Sequence, residues 1–140
     1  MNNPLLDYPG YHLRRAASSR LAELGRHLDG LGLGVTEASI LVLIDQNPDL
    51  SQADCGRLLS IQRPNLNPLI QKLIQRGLIL TAKGQGRALK LRLTPAGHAL
   101  TPDIIAEFQA HEARIYAAVP ERFRADLVAI LRSLWTTDGS

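Results

Sequence analysis

Between Arg63 and Gln75 the chain sets Asn65, Asn67, Gln71 and Gln75 among leucines and isoleucines, with Arg63 at one end and Lys72 near the other. A carboxamide carries a donor beside an acceptor, the pattern that adenine shows in the major groove. Arginine and lysine suit guanine or phosphate, and a proline ring can press on a thymine methyl. Wound into a helix, Pro64, Pro68, Gln71 and Gln75 fall opposite an apolar stripe of Leu66, Leu69, Ile70 and Leu73, with Asn65, Asn67 and Lys72 on the flanks. Such a helix fits the major groove, and its first amides approach backbone phosphate. Pro68 brings no amide hydrogen and leaves the Pro64 carbonyl without its usual partner. The apolar period nevertheless holds from Leu66 to Leu73, so the spacing predicts a helix that runs through the proline. A second basic feature follows at Lys83-Gly84-Gln85-Gly86-Arg87. The glycines allow a tight tip, from which Arg87 can enter a narrow minor groove, and Lys83 is also placed for DNA contact. The bland alternative is a solvated turn with ordinary basic neighbours.

Charge is segregated in the same direction. The whole chain of 140 residues has a net charge of only +3, yet no acidic residue occurs between Asp54 and Asp103. That interval holds Arg57, Arg63, Lys72, Arg76, Lys83, Arg87, Lys90 and Arg92, a net of +8, and the remainder carries 8 basic against 13 acidic residues. A field of one sign over one region suits a polyanion.

The elements that must position these residues follow from period and punctuation. Leu13, Ala17, Leu21, Leu24 and Leu28 predict a helix over residues 11–28, broken by Gly30, Gly32 and Gly34. Thr36 is placed to cap a helix over 37–47 that Asn47-Pro48 stops. Ser51 and Asp54 have the spacing of a capping box for a short helix ending by Ser60, with Leu50 set to staple against Cys55. The helix over 63–76 starts near Pro64 and ends at Gly77. Residues 78–81 and 88–93 read as a two-stranded hairpin around the basic tip. Thr94-Pro95 restarts helix to about Val119 with a kink at Pro102, and Pro120 opens a last helix through Trp135 with Phe123, Leu127, Ile130, Leu131 and Leu134 on one face. The expected fold is mainly α with a small β-hairpin wing: a winged helix-turn-helix flanked by N- and C-terminal helices.

Other chemistries find little footing. Cys55 is single, so no intrachain disulfide can form, and its place on the inner side of a short helix reads as core. His12, His27, His98 and His111 make no short metal-ligand motif, so no metal and no cofactor are expected. No phosphate-loop or dinucleotide pattern exists, and no serine has a nucleophile's setting, so the chain is not expected to be an enzyme. The longest apolar runs, such as residues 40–44, are far short of a membrane span, and a cytoplasmic protein is expected.

The stretches LSQADCGRLLSIQRPNLNPLIQKLIQRGLI (residues 50–79) and RALKLRLTPAG (residues 87–97) resemble the MarR family of bacterial winged-helix regulators, and the likeness extends over roughly residues 11–135. The resemblance implies that residues 63–76 are the recognition helix and that Leu93 to Gly97 lead from the wing into a dimerisation helix. It implies a homodimer on a pseudo-palindromic double-stranded operator, often a repressor released by a small aromatic ligand. The family's wing commonly has an acidic residue followed by two arginines, whereas Gln85-Gly86-Arg87 keeps only the second arginine and lacks the acidic brace. The segment 63–70, RPNLNPLI, is similar to a subgroup that governs aromatic-acid breakdown and sometimes senses coenzyme A thioesters. By the same likeness Tyr8, Tyr11, His12 and Arg15 are the candidate effector contacts, with Arg14, Arg20 and Arg26 available to a thioester's phosphates.

One domain over 1–140 is expected, with a DNA-binding lobe at 36–94 and dimerisation helices at 11–29 and 95–135. The DNA-contact candidates are Arg63, Pro64, Asn65, Asn67, Pro68, Gln71, Lys72, Lys83 and Arg87. The competing function is a winged-helix module that binds another protein; a hydrolase built on a histidine comes third.

Overall fold

The computed structural model describes residues 1–84, 86 and 88–137. Gln85 and Arg87 of the expected wing tip lie outside the described residues. A 3₁₀ turn at Pro4–Asp7 leads into α1 (Pro9–Leu28); a second 3₁₀ turn, Asp29–Leu31, then passes the chain to α2 (Val35–Gln46). Next come α3 (Gln52–Leu59), α4 (Arg63–Gln75), the antiparallel strands β1 (Ile79–Lys83) and β2 (Leu89–Leu93), and α5 (Pro95–Ala118). Two short helices, α6 (Glu121–Arg124) and α7 (Leu127–Ser133), close the chain. The mainly helical order with one hairpin is the architecture read from the sequence.

The chain divides into two compact units, residues 1–107 and residues from Phe108 onward. In the first, the core gathers Leu28 of α1, Ile40 and Leu41 of α2, Cys55 of α3, Leu66, Ile70 and Leu73 of α4, and Leu91 of β2, all essentially inaccessible. Each such aliphatic side chain contributes about 1.5–3 kcal/mol relative to an exposed one. In the second unit none of the described apolar side chains is fully covered: Val128, Ile130, Leu131, Leu134 and Trp135 are all exposed, Trp135 at 77%.

Several local expectations needed correction. The cap of α2 is Gly34, not Thr36, which lies inside the helix. Gly34 is extended and its carbonyl already accepts from Ala38 N at 3.0 Å, so the helical ladder begins two residues before Thr36 could cap it. Lys83 is the last residue of β1, paired opposite Leu89, and so belongs to the strand rather than the tip. The final helix is interrupted after Arg124, where Asp126 N bonds back to the Phe123 carbonyl and Asp126 itself starts α7 by accepting from Ile130 N. The hairpin also gains a neighbour: Leu91 N donates to Leu50 O at 2.8 Å and Ser51 bridges Lys90, so the residues before α3 form a short third rung of the sheet. Beside it, Arg92 Nε donates to Asp49 Oδ1 at 2.7 Å.

Candidate nucleic-acid interface

The helix pair α3–α4 is built by local chemistry. Ser51 Oγ accepts from Asp54 N (3.0 Å) and donates to Asp54 Oδ2 (2.8 Å), which satisfies an orphan amide at the start of α3. This cap is worth about 1 kcal/mol. The joint turns at Ser60, which adopts a left-handed conformation, and Ile61 N returns to Gly56 O at 2.9 Å. Gly56 permits that approach, since a Cβ there would meet the Ile61 carbonyl at 3.0 Å and Leu66 at 3.4 Å. α4 then begins with Pro64 in its first turn and ends on Gly77 at φ +72°, where Gly77 N and Leu78 N reach back to the Ile74 and Leu73 carbonyls. It passes through Pro68 without interruption.

The faces of α4 divide as its spacing predicts. Leu66, Ile70 and Leu73 are buried and Leu69 is half-buried. Arg63, Pro64, Asn65, Pro68, Gln71 and Gln75 are exposed. Beside them a groove of about 660 Å³ runs between α3, the Ser60–Gln62 joint and β2, with Arg57 and Arg63 among its walls. The exposed face of α4 offers carboxamides to base edges and the Arg63 guanidinium to phosphate, while Arg57 on the groove wall is paired with Asp54.

Two candidates are already engaged within the fold. Asn67 is half-buried, and its Oδ1 accepts a short hydrogen bond from Gln52 Nε2 of α3. Lys72 Nζ lies 3.4 Å from Glu37 Oε1 of α2, and Glu37 is only 6% exposed. One turn further along α4, Arg76 donates to the Gly32 carbonyl at 2.6 Å and toward the Leu31 carbonyl at 3.4 Å. Glu37, Arg76 and Gln52 were not singled out from the sequence. The available signals were an acid in the first turn of an otherwise apolar helix, and two cations four residues apart on one side of α4.

Tyr8, Tyr11, His12 and Arg15 occupy one side of the start of α1, at helical spacing. Two of them brace the N-terminal turn: His12 Nε2 donates to Leu6 O at 2.8 Å, and Asn3 Nδ2 donates to the Tyr11 hydroxyl at 3.4 Å. The Tyr11 and His12 rings meet edge to face at 5.5 Å, while Tyr8 and Arg15 are exposed. Cys55 is buried, and burial pushes its thiol up from its ordinary range, so it sits as a small core hydrophobe. Among the described residues no group of three His, Cys, Asp or Glu gathers to hold a metal ion, and no single helix is long and apolar enough to cross a membrane.

Comparison with known proteins agrees with this geometry. A MarR family model matches residues 31–88, the span that contains α2, α3, α4 and β1. The HTH-type transcriptional repressor Rv2887 of Mycobacterium tuberculosis is 29% identical over 127 residues, covering 89% of this chain and 91% of that protein. The transcriptional repressor CouR bound to a 23-mer DNA duplex is similar with a TM-score of 0.88 at 25% identity, covering 97% of this chain and 99% of the other. CouR bound to p-coumaroyl-CoA gives 0.84 at 25% identity over 96% of each chain.

Proposed function

We propose, from the premise that the chain is a MarR-family winged-helix regulator, that it acts as a homodimeric repressor on a pseudo-palindromic operator and is released by a small aromatic acid or its coenzyme A thioester. Regulators of this family are DNA-binding transcription factors and not enzymes. The observation that carries the reading is α4 itself. Pro64, Asn65, Pro68 and Gln71 face outward from a helix whose other side is held in the core by Leu66, Ile70 and Leu73. α4 enters the major groove by its N-terminal half; Arg63 contacts phosphate or guanine, and Lys83 and Arg87 add the contact of the wing.

Dimer formation is supported by the uncovered apolar side chains of α7 and of α1, where Leu13 and Leu21 are exposed. Sedimentation at micromolar concentration is expected to give about twice the 15.3 kDa of one chain. A stable monomer that still binds a full operator would overturn this arrangement. The DNA-binding lobe is residues 36–94, and helices at 11–29 and 95–135 form the dimer.

The effector class is supported by the related CouR bound to p-coumaroyl-CoA. Tyr8, Tyr11, His12 and Arg15 supply aromatic surface and one positive charge to such a ligand, and an effector that engages Tyr11 or His12 must compete with their bonds to the N-terminal turn. Selection of bound genomic fragments, with and without aromatic acids and their thioesters, tests operator and effector together. The expected result is enrichment of an inverted repeat with half-sites about one helical turn apart, lost on adding one effector class. Retention of no fragment above nonspecific competitor would favour a protein-interaction module instead.

A further inference from the structure

Lys72 and Arg76 lie one turn apart on α4, and both reach back to the corner between α1 and α2. Arg76 closes on the backbone carbonyls of the 3₁₀ turn. Lys72 meets Glu37, whose carboxylate is almost wholly buried and whose second oxygen, Oε2, is buried without a hydrogen-bond partner. Glu37 occupies the first turn of α2, where the helix dipole favours a negative charge. A carboxylate so short of water holds a cation more firmly than a solvated surface pair does, because without it the charge would lie in the interior with no counter-charge beside it. Were Lys72 to swing to a phosphate, Glu37 would be left in that state.

We propose that Glu37 is a positioning residue for DNA reading: it retains the Lys72 ammonium, so that Lys72 and Arg76 together set the roll of α4 about its axis and Lys72 is not among the cations that neutralise phosphate. The inference rests on the reading of α4 as the DNA-contacting helix. It separates two roles that a lysine on a recognition helix can have. A phosphate contact contributes to the salt dependence of binding and helps all sequences alike, whereas a tether contributes nothing to the salt dependence and sharpens discrimination.

The test measures affinities of wild type, Lys72→Met, Glu37→Gln and the double variant over a salt series, on the selected operator and on a scrambled duplex. Lys72→Met is expected to leave the slope of log K against log salt unchanged and to lower the operator-to-scrambled ratio about tenfold. Glu37→Gln frees the ammonium, so its slope is expected to steepen by about 0.9, the value of one added phosphate contact. Its affinity for the scrambled duplex rises several-fold as the ratio falls, and the double variant returns to the slope of Lys72→Met. A Lys72→Met slope shallower by about 0.9 overturns the proposal, as does an unchanged ratio in that variant. Lys72 is exposed, so these two readings decide the matter even if Glu37→Gln fails to fold. A wild-type protein with equal affinity for both duplexes overturns the DNA reading and this inference together; a wild-type preference with a shallower Lys72→Met slope overturns this inference alone.

Discussion

Gly97→Ala is expected to destabilise the protein by about 3 kcal/mol and to lower its Tm by roughly 10 °C. Gly97 lies in the first turn of α5, where its N–H bonds to Thr94 Oγ1 at 3.1 Å. A Cβ at this position would overlap the Leu78 carbonyl oxygen and come within 3.2 Å of Leu93 Cδ2. That carbonyl cannot easily give way. It accepts Thr94 N at 3.0 Å and stands next to the Ile79–Leu93 pair that begins the hairpin ladder. Thr94 Oγ1 donates to Gly77 O at 2.5 Å, so the end of α4, the base of the wing and the start of α5 meet at one point. Alanine's gain in helix propensity, about 1 kcal/mol over glycine, is too small to offset such an overlap with backbone. Gly25→Ala is the control: it lies inside α1 with no atom within 4 Å of the added methyl, and a small gain in stability is expected. Urea denaturation of both variants checks the pair; equal stability of Gly97→Ala and wild type would show that the α5–β1 approach is looser than described.

Asn65→Ala is expected to relax base preference at one position of each half-site by about 1–3 kcal/mol, roughly 5- to 150-fold, while leaving nonspecific binding nearly intact. Asn65 and Asn67 were equal candidates by sequence. The structure separates them. Asn65 is exposed in the first turn of α4, at the end that a helix-turn-helix inserts into the groove. Asn67 is half-buried and already bonded to Gln52, so its loss loosens the joint between α3 and α4. Asn67→Ala is therefore expected to weaken operator binding at every base position alike, with a stability cost of about 1 kcal/mol. A matrix of single-base operator variants against Asn65→Ala, Asn67→Ala and Gln71→Ala distinguishes these outcomes, with circular dichroism to confirm each fold. Relaxed preference in Gln71→Ala but not in Asn65→Ala would move base reading nearly two turns along the helix, past Pro68.

What could be read directly from the sequence was local. Ser51 and Asp54 lie three residues apart, Pro64 and Gly77 bracket one helix, and Leu66, Ile70 and Leu73 repeat at its period. Each pattern acts within about one turn of the chain, where backbone geometry alone brings the groups together. The acid-free interval was legible likewise as an excess of cations along α4 and the hairpin, although folding sets Glu37 against Lys72 and Asp49 against Arg92 from outside it. Even Pro68 was readable, because the buried stripe continues across it and burial outweighs one missing hydrogen bond. The cap of α2 at Gly34 and the break after Arg124 were less so, since helix ends turn on small differences between competing caps.

The partners of long side chains were decided by tertiary structure. Glu37 and Lys72 are separated by 35 residues, Asp49 and Arg92 by 43, and Gly32 and Arg76 by 44. Lysine and arginine have flexible stems, and their spacing on a helix says which side they leave from but not what waits there. Lys72 looked like any cation beside a DNA-reading face until α2 brought a buried carboxylate to it. Asn67 looked like a base reader until α3 placed Gln52 against it. Gly97 looked like one more glycine after a cap until the hairpin set a carbonyl against its Cα. Local spacing determined which elements form and which face of α4 carries the polar groups. The packing of α2, α3 and the hairpin around α4 decided which of those groups remain free to meet DNA, because that choice depends on contacts between segments that only the assembled core brings within a few ångströms.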